Sequence, residues 1–144
     1  MFRTILVATD GSEHAGKALA VGCELARTCN GDLHLVHTPE LEVIAMAVGL
    51  APAVLPHTPE QVAEAGKKVI DAAAGKATVA GCPPASTHVD QGDPAQVIQE
   101  YASKIGADLI ITGRRGLGKL GGILMGSVTQ KLGQIAPCAH MTVR

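Results

Sequence analysis

DLIITGRRGLGKLGGILMGS, residues 108–127, joins a short apolar run to a glycine-rich loop and then to a helix start. Asp108–Thr112 reads as a strand covered on both faces of a parallel sheet. The loop Gly113–Ser127 holds six glycines, more than a connection needs. Glycine lets a ligand approach the backbone closely and leaves amide N–H groups free to point at anionic oxygens. Gly126-Ser127 opens a helix expected to run to Ile135, whose unpaired N–H groups and positive dipole end favour phosphate. Arg114, Arg115 and Lys119 add positive charge. The plain alternative is a solvated loop with no ligand.

Outward from this stretch, strands and helices alternate. Thr4–Thr9 (TILVAT) is a buried strand, and Asp10-Gly11-Ser12 ends it, with Ser12 as N-cap. Ala15, Leu19, Gly22, Cys23 and Ala26 share one face of a helix that stops at Asn30-Gly31. Asp32–Thr38 is a second strand. Pro39–His57 is apolar, carries three prolines and suits a long connection with a short helix. Thr58-Pro59 starts a helix striped by Val62, Ala65, Val69, Ala72 and Ala73. Ala85–Gln91 is a third strand, followed from Asp93-Pro94 by a helix that buries Val97, Ile98, Tyr101 and Ile105. Pro137 leads into a last strand, Cys138–Val143.

This alternation specifies an α/β fold, a doubly wound parallel five-stranded sheet with helices on both faces, Rossmann-like, in one domain spanning residues 1–144. With strand order 3-2-1-4-5, the topological switch point lies between the first and fourth strands. Asp10 and Gly113 stand just past those strand ends, where such sheets bind ligands.

Composition excludes several classes. Phe2 and Tyr101 are the only aromatics, so no stacking platform for single-stranded nucleic acid is expected. The net charge of -1 gives no footprint for nucleic acid or an anionic membrane. The most apolar stretch, Val43–Leu55, is shorter than a membrane span and is broken by Gly49 and Pro52. Four scattered cysteines without a CxxC pair suggest reduced thiols in a soluble, cytoplasmic protein, not a disulfide framework or zinc site. The N-terminus runs into a strand with no leader pattern. His34 and His37 should point to opposite sheet faces and cannot share an ion, and no protein-built metal site is expected.

Two stretches approach the phosphate loop GxxxxGK[ST]: Gly11–Ala18 (GSEHAGKA) and Gly113–Leu120 (GRRGLGKL). Both lack the final hydroxyl that would ligate Mg²⁺. No GxGxxG follows the first strand, which disfavours NAD or FAD. The spacing Gly113-x2-Gly116-x9-Gly126-Ser127 instead resembles the nucleotide motif G-x2-G-x9-G-[ST] of the ATP-binding universal stress proteins. The opening TILVATDGSEHAGKAL and the ending MGSVTQKL with Pro137–Arg144 are similar to that family's first and last elements. Ala8 stands where the family often has proline, and His140 and Thr142 interrupt a final strand more often made of valines.

The resemblance implies that Gly113, Gly116, Gly126 and Ser127 hold the phosphates of ATP, ADP or AMP. It places Asp10 on the ribose or base, with Ala8, Thr9 and Thr38 lining the adenosine pocket. It also implies contacts from Arg114, Val128 and Thr129 near the phosphates, with any Mg²⁺ held through phosphate oxygens. A homodimer through the last strand is implied too.

Ser12 and Ser127 read as helix starts, and no catalytic assembly is evident. Three functions follow as alternatives: a nucleotide-dependent regulatory protein of the stress-response type, a slow ATPase or nucleotidyl transferase using Asp10, and a nucleotide-free interaction module.

Overall fold

The computed structural model describes residues 1–39, 58–116 and 125–144. In chain order the elements are β1 (Thr4–Ala8), α1 (Glu13–Cys29), β2 (Asp32–His37), α2 (Pro59–Val79), β3 (Ser86–Val89), α3 (Pro94–Ile105), β4 (Leu109–Gly113), α4 (Ser127–Ile135) and β5 (Ala139–Val143). The strands pair in parallel, in the order β3-β2-β1-β4-β5. This is the strand order assumed in placing the switch point.

The helices begin where side chains can take up unpaired N–H groups. Ser12, Thr58 and Asp93 each accept from the backbone N–H three residues on, and Thr58 forms a reciprocal box with Gln61. α1 and α3 end on left-handed residues, Asn30 and Gly106.

The central strands are apolar throughout because both faces are covered. Ile5, Val7, Leu33, Leu35, Leu109 and Ile111 join Leu19 and Cys23 of α1 and Ile70 of α2 in one core. Leu6, Val36 and Ile110 join Ile98 and Tyr101 of α3 and Leu132 of α4 in the other. Successive strand residues alternate between the two layers. The α1 face expected from the sequence is buried in full, as are Val97, Ile98 and Tyr101, while Ile105 packs at the margin.

α2 departs from its expected stripe. Ala65 and Val69 are half-buried and Ala72 is exposed, whereas Gly66, Ile70 and Ala77 join Val62 and Ala73 on the covered face. A glycine carries no apolar signal, yet here it is the point of closest approach. A Cβ on Gly66 would lie 2.8 Å from Pro39 Cγ and 2.9 Å from Val89 Cγ1. β3 is shorter than the expected Ala85–Gln91, although Ala85 N donates to Leu33 O (2.7 Å) and Asp90 N to His37 O (3.3 Å) at its two ends. The connection expected to hold a short helix lies, from residue 40 to 57, outside the described residues, as does loop residue Lys119. No helix among the described residues is long and apolar enough to cross a membrane.

Candidate functional site

The carboxyl ends of β1 and β4 meet the first turn of α1. Thr9 N donates to Val36 O at 3.0 Å and continues the β1–β2 ladder. Asp10 Oδ1 accepts from Ser12 N at 2.9 Å, and Ser12 Oγ accepts from Ala15 N at 3.2 Å. The turn between them needs Gly11, whose φ is +80°. These bonds give the half-buried Asp10 carboxylate a defined place.

β4 ends against α1. A Cβ on Gly113 would lie 2.6 Å from His14 C and 2.9 Å from Ala15 N, so only glycine allows this backbone approach. Three residues on, a Cβ at Gly116 would stand 2.5 Å from Asp10 Oδ2. The glycine loop therefore does reach Asp10, as the switch point suggested.

The far end of the loop returns to the same place. Gly126 N donates to Arg114 O at 2.8 Å, and Gly126 lies beside Arg115 and Gly116. Gly126 is the N-cap of α4 and supplies no capping side chain. The first-turn N–H groups of α4 thus lie beside Arg114–Gly116 without a side-chain cap. Ser127 is exposed at the first helical position, and Val128 is half-buried against the α3–α4 core, as is Ala8.

Thr129 is placed differently from a phosphate ligand. It is buried, its hydroxyl donates to Gly113 O at 2.9 Å, and it lies 3.3 Å from Thr112 Oγ1. Thr112 Oγ1 in turn lies 2.9 Å from His140 Nε2 on β5. Burial lowers the His140 pKa and favours the neutral ring. With Nε2 protonated, the hydrogen bonds run in one direction, from His140 to Thr112 to Thr129 to the Gly113 carbonyl.

His37, weighed in the sequence only as a metal ligand, supports the end of β1 instead. Its Nδ1 donates to Thr9 O at 2.8 Å and fixes the end of β1. Burial lowers its pKa, opposed by the Thr9 bond and the Asp10 charge. His34, three residues earlier, faces the other way and bonds Ser86. Strand parity alone predicts that divergence; the partners come only from the fold.

Four buried side-chain polar atoms have no hydrogen-bond partner among the described residues: His14 Nδ1, Thr38 Oγ1, Arg114 Nε and Arg115 Nε. All belong to residues just past the ends of β2 and β4 or in the first turn of α1. Buried polar groups are normally paired, so this grouping marks a place suited to an anionic, hydrogen-bonding ligand. A cavity of about 290 Å³ opens alongside, between α1 and α2. Thr9, Gly11 and Ser12 line it, but Asp10, Thr38 and Gly113–Gly116 do not.

The whole chain, residues 1–144, matches the family model described as the universal stress protein family. A universal stress protein of Thermus aquaticus is 35% identical over 144 residues, covering 100% of both chains. The solved universal stress protein of Archaeoglobus fulgidus superposes with a TM-score of 0.74 at 21% identity, over 100% of each chain. Its complex with dAMP superposes with a TM-score of 0.70 at 22% identity, covering 99% of this chain and 98% of that one.

Proposed function

The chain belongs to the universal stress protein family, and on that premise we propose that it is an adenine-nucleotide-binding regulatory protein of the cytoplasm. Four buried polar atoms without a partner among the described residues, on His14, Thr38, Arg114 and Arg115 past the strand ends and at the start of α1, carry this reading. Adenosine lies along Ala8, Thr9, Asp10 and Thr38, with the Asp10 carboxylate accepting from ribose hydroxyls. The phosphates of ATP lie between Gly113–Gly116 and the open first turn of α4, next to Arg114. Gly126, Ser127 and Val128 supply amide N–H groups there, and Thr129 positions the Gly113 carbonyl. Mg²⁺ is carried by the phosphate oxygens. The dAMP complex of the Archaeoglobus protein supports an adenine nucleotide. β5, at the sheet edge, serves as the homodimer contact.

Calorimetric titration of purified protein with ATP, ADP and AMP tests the reading, with light scattering of the same samples for the dimer. Gly126→Val suits the purpose because a Cβ there meets only ordinary contacts, the nearest at 3.5 Å. Its side chain would crowd the α4 N-terminus while the fold survives. Affinity should fall by roughly tenfold or more, with Asp10→Asn also weaker. Affinity unchanged in both variants would remove the site. Loss of ATP turnover with binding retained in Asp10→Asn would instead favour a slow ATPase.

A further inference from the structure

We propose that His140, on the edge strand β5, is a positioning residue for the glycine loop, acting through Thr112 and Thr129 on the peptide that joins Gly113 to Arg114. The sequence marks His140 as a polar interruption of an otherwise apolar strand. In the fold it stands opposite Ile110 of β4, on the sheet face that α4 covers. His140 Nε2 lies 2.9 Å from Thr112 Oγ1, and Thr112 Oγ1 lies 3.3 Å from Thr129 Oγ1. Thr129 Oγ1 in turn lies 2.9 Å from Gly113 O. Thr112 and Thr129 are only 3% and 4% exposed, so these groups depend on one another for partners.

The direction of the bonds follows from how many protons each group can give. A hydroxyl has a single proton, and a carbonyl only accepts. The Thr129 proton therefore goes to Gly113 O, and the proton between the two threonines is Thr112's. Thr112 can then meet His140 only as acceptor, which requires His140 to donate from Nε2. Burial favours the neutral ring, which has one N–H, so the tautomer is fixed as well. A helical threonine otherwise turns its hydroxyl to the carbonyl three or four residues back. The proton from Thr112 holds Thr129 on Gly113 O instead, and the proton from His140 keeps Thr112 turned toward Thr129. The N–H of the same peptide is also held from β5, since Arg114 N donates to Val143 O at 2.7 Å. β5 thus grips both edges of the Gly113–Arg114 peptide, and Arg114 O accepts from Gly126 N at the far end of the loop. The effect on affinity rests on the nucleotide reading; the relay itself does not.

His140→Val removes the donor with a residue that suits a strand, and His140→Gln restores an N–H at about the reach of Nε2. In calorimetric titration of the full chain, ATP affinity should fall roughly three- to tenfold in His140→Val and recover in His140→Gln. Adding His140→Val to Thr129→Val should lower it no further. Unchanged affinity in His140→Val, no recovery in His140→Gln, or an equal further loss beside Thr129→Val overturns the proposal. Two readouts need no nucleotide. Nitrogen NMR of the wild-type His140 ring should find the proton on Nε2. Deuterium exchange at the Arg114 amide should quicken roughly three- to tenfold in His140→Val and not in His140→Gln. A proton on Nδ1, or an unchanged Arg114 amide, overturns the proposal, and the ring measurement decides even if a variant misfolds. Protein that meets both readouts but binds no adenine nucleotide would remove the nucleotide reading and leave the relay standing.

Discussion

Ser86 Oγ stands 2.6 Å from His34 Nδ1 and 2.6 Å from Tyr101 Oη, and the Tyr101 ring stacks on His88 with centroids 4.3 Å apart. With His34 neutral, Tyr101 donates to Ser86 and Ser86 donates to Nδ1. A proton on Nδ1 reverses that order and leaves the buried Tyr101 hydroxyl in need of another acceptor. Burial lowers the pKa of His34, against the pull of Asp32, and burial lowers those of His37 and His140 as well. For a histidine whose folded value lies below its unfolded one, the unfolded chain binds more protons. Stability is then full above about pH 6.5 and falls as pH drops from there toward the folded values. Melting temperature should decline between pH 7 and 5; a flat profile would refute this. Ser86→Ala should cost about 1–3 kcal/mol in denaturant unfolding by stranding the buried Tyr101 hydroxyl and the half-buried His34 ring. None of this chain was legible in the sequence, because strand parity gives the face of His34 but not what stands across from it. Asp10 was legible, since a residue just past the first strand lies at the switch point whatever its neighbours are.

At the level of elements, the glycines decide how closely the helices pack. A Cβ on Gly22 of α1 would stand 2.5 Å from Val7 Cγ2, so α1 lies directly on β1. Gly75 of α2 has nothing within 4 Å of such a Cβ. The same substitution should act oppositely at the two sites. Gly75→Ala should stabilise by about 0.5–1 kcal/mol through helix propensity. Gly22→Ala should destabilise by about 1–2 kcal/mol, because overpacking against β1 exceeds that gain. Chemical denaturation of both variants checks this, and equal signs would contradict it. The type and order of the elements were readable from period and caps. The rotation of α2 was not, because Gly66, the point of closest approach on its covered face, carries no hydrophobic mark.

Over the whole molecule, composition and alternation led to the right sheet. Its order was assumed as one doubly wound arrangement, because alternation alone leaves others open, and the structure has that order. Contacts between distant segments stayed hidden, as between Thr112 and both Thr129 and His140. These depend on how layers stack, and periodicity within one segment carries no information about that. The two-layer burial of β1 and β4 has a consequence in time. Ile5–Val7 and Leu109–Ile111 are shut from solvent on both faces and flanked by paired strands. Their amides should exchange with deuterium only when the whole sheet opens, at rates that report global stability. The edge strands β3 and β5 should exchange faster, through local fraying. Native-state exchange by NMR should separate these two classes of amide, and one uniform rate across the five strands would mean that the sheet opens as a single unit.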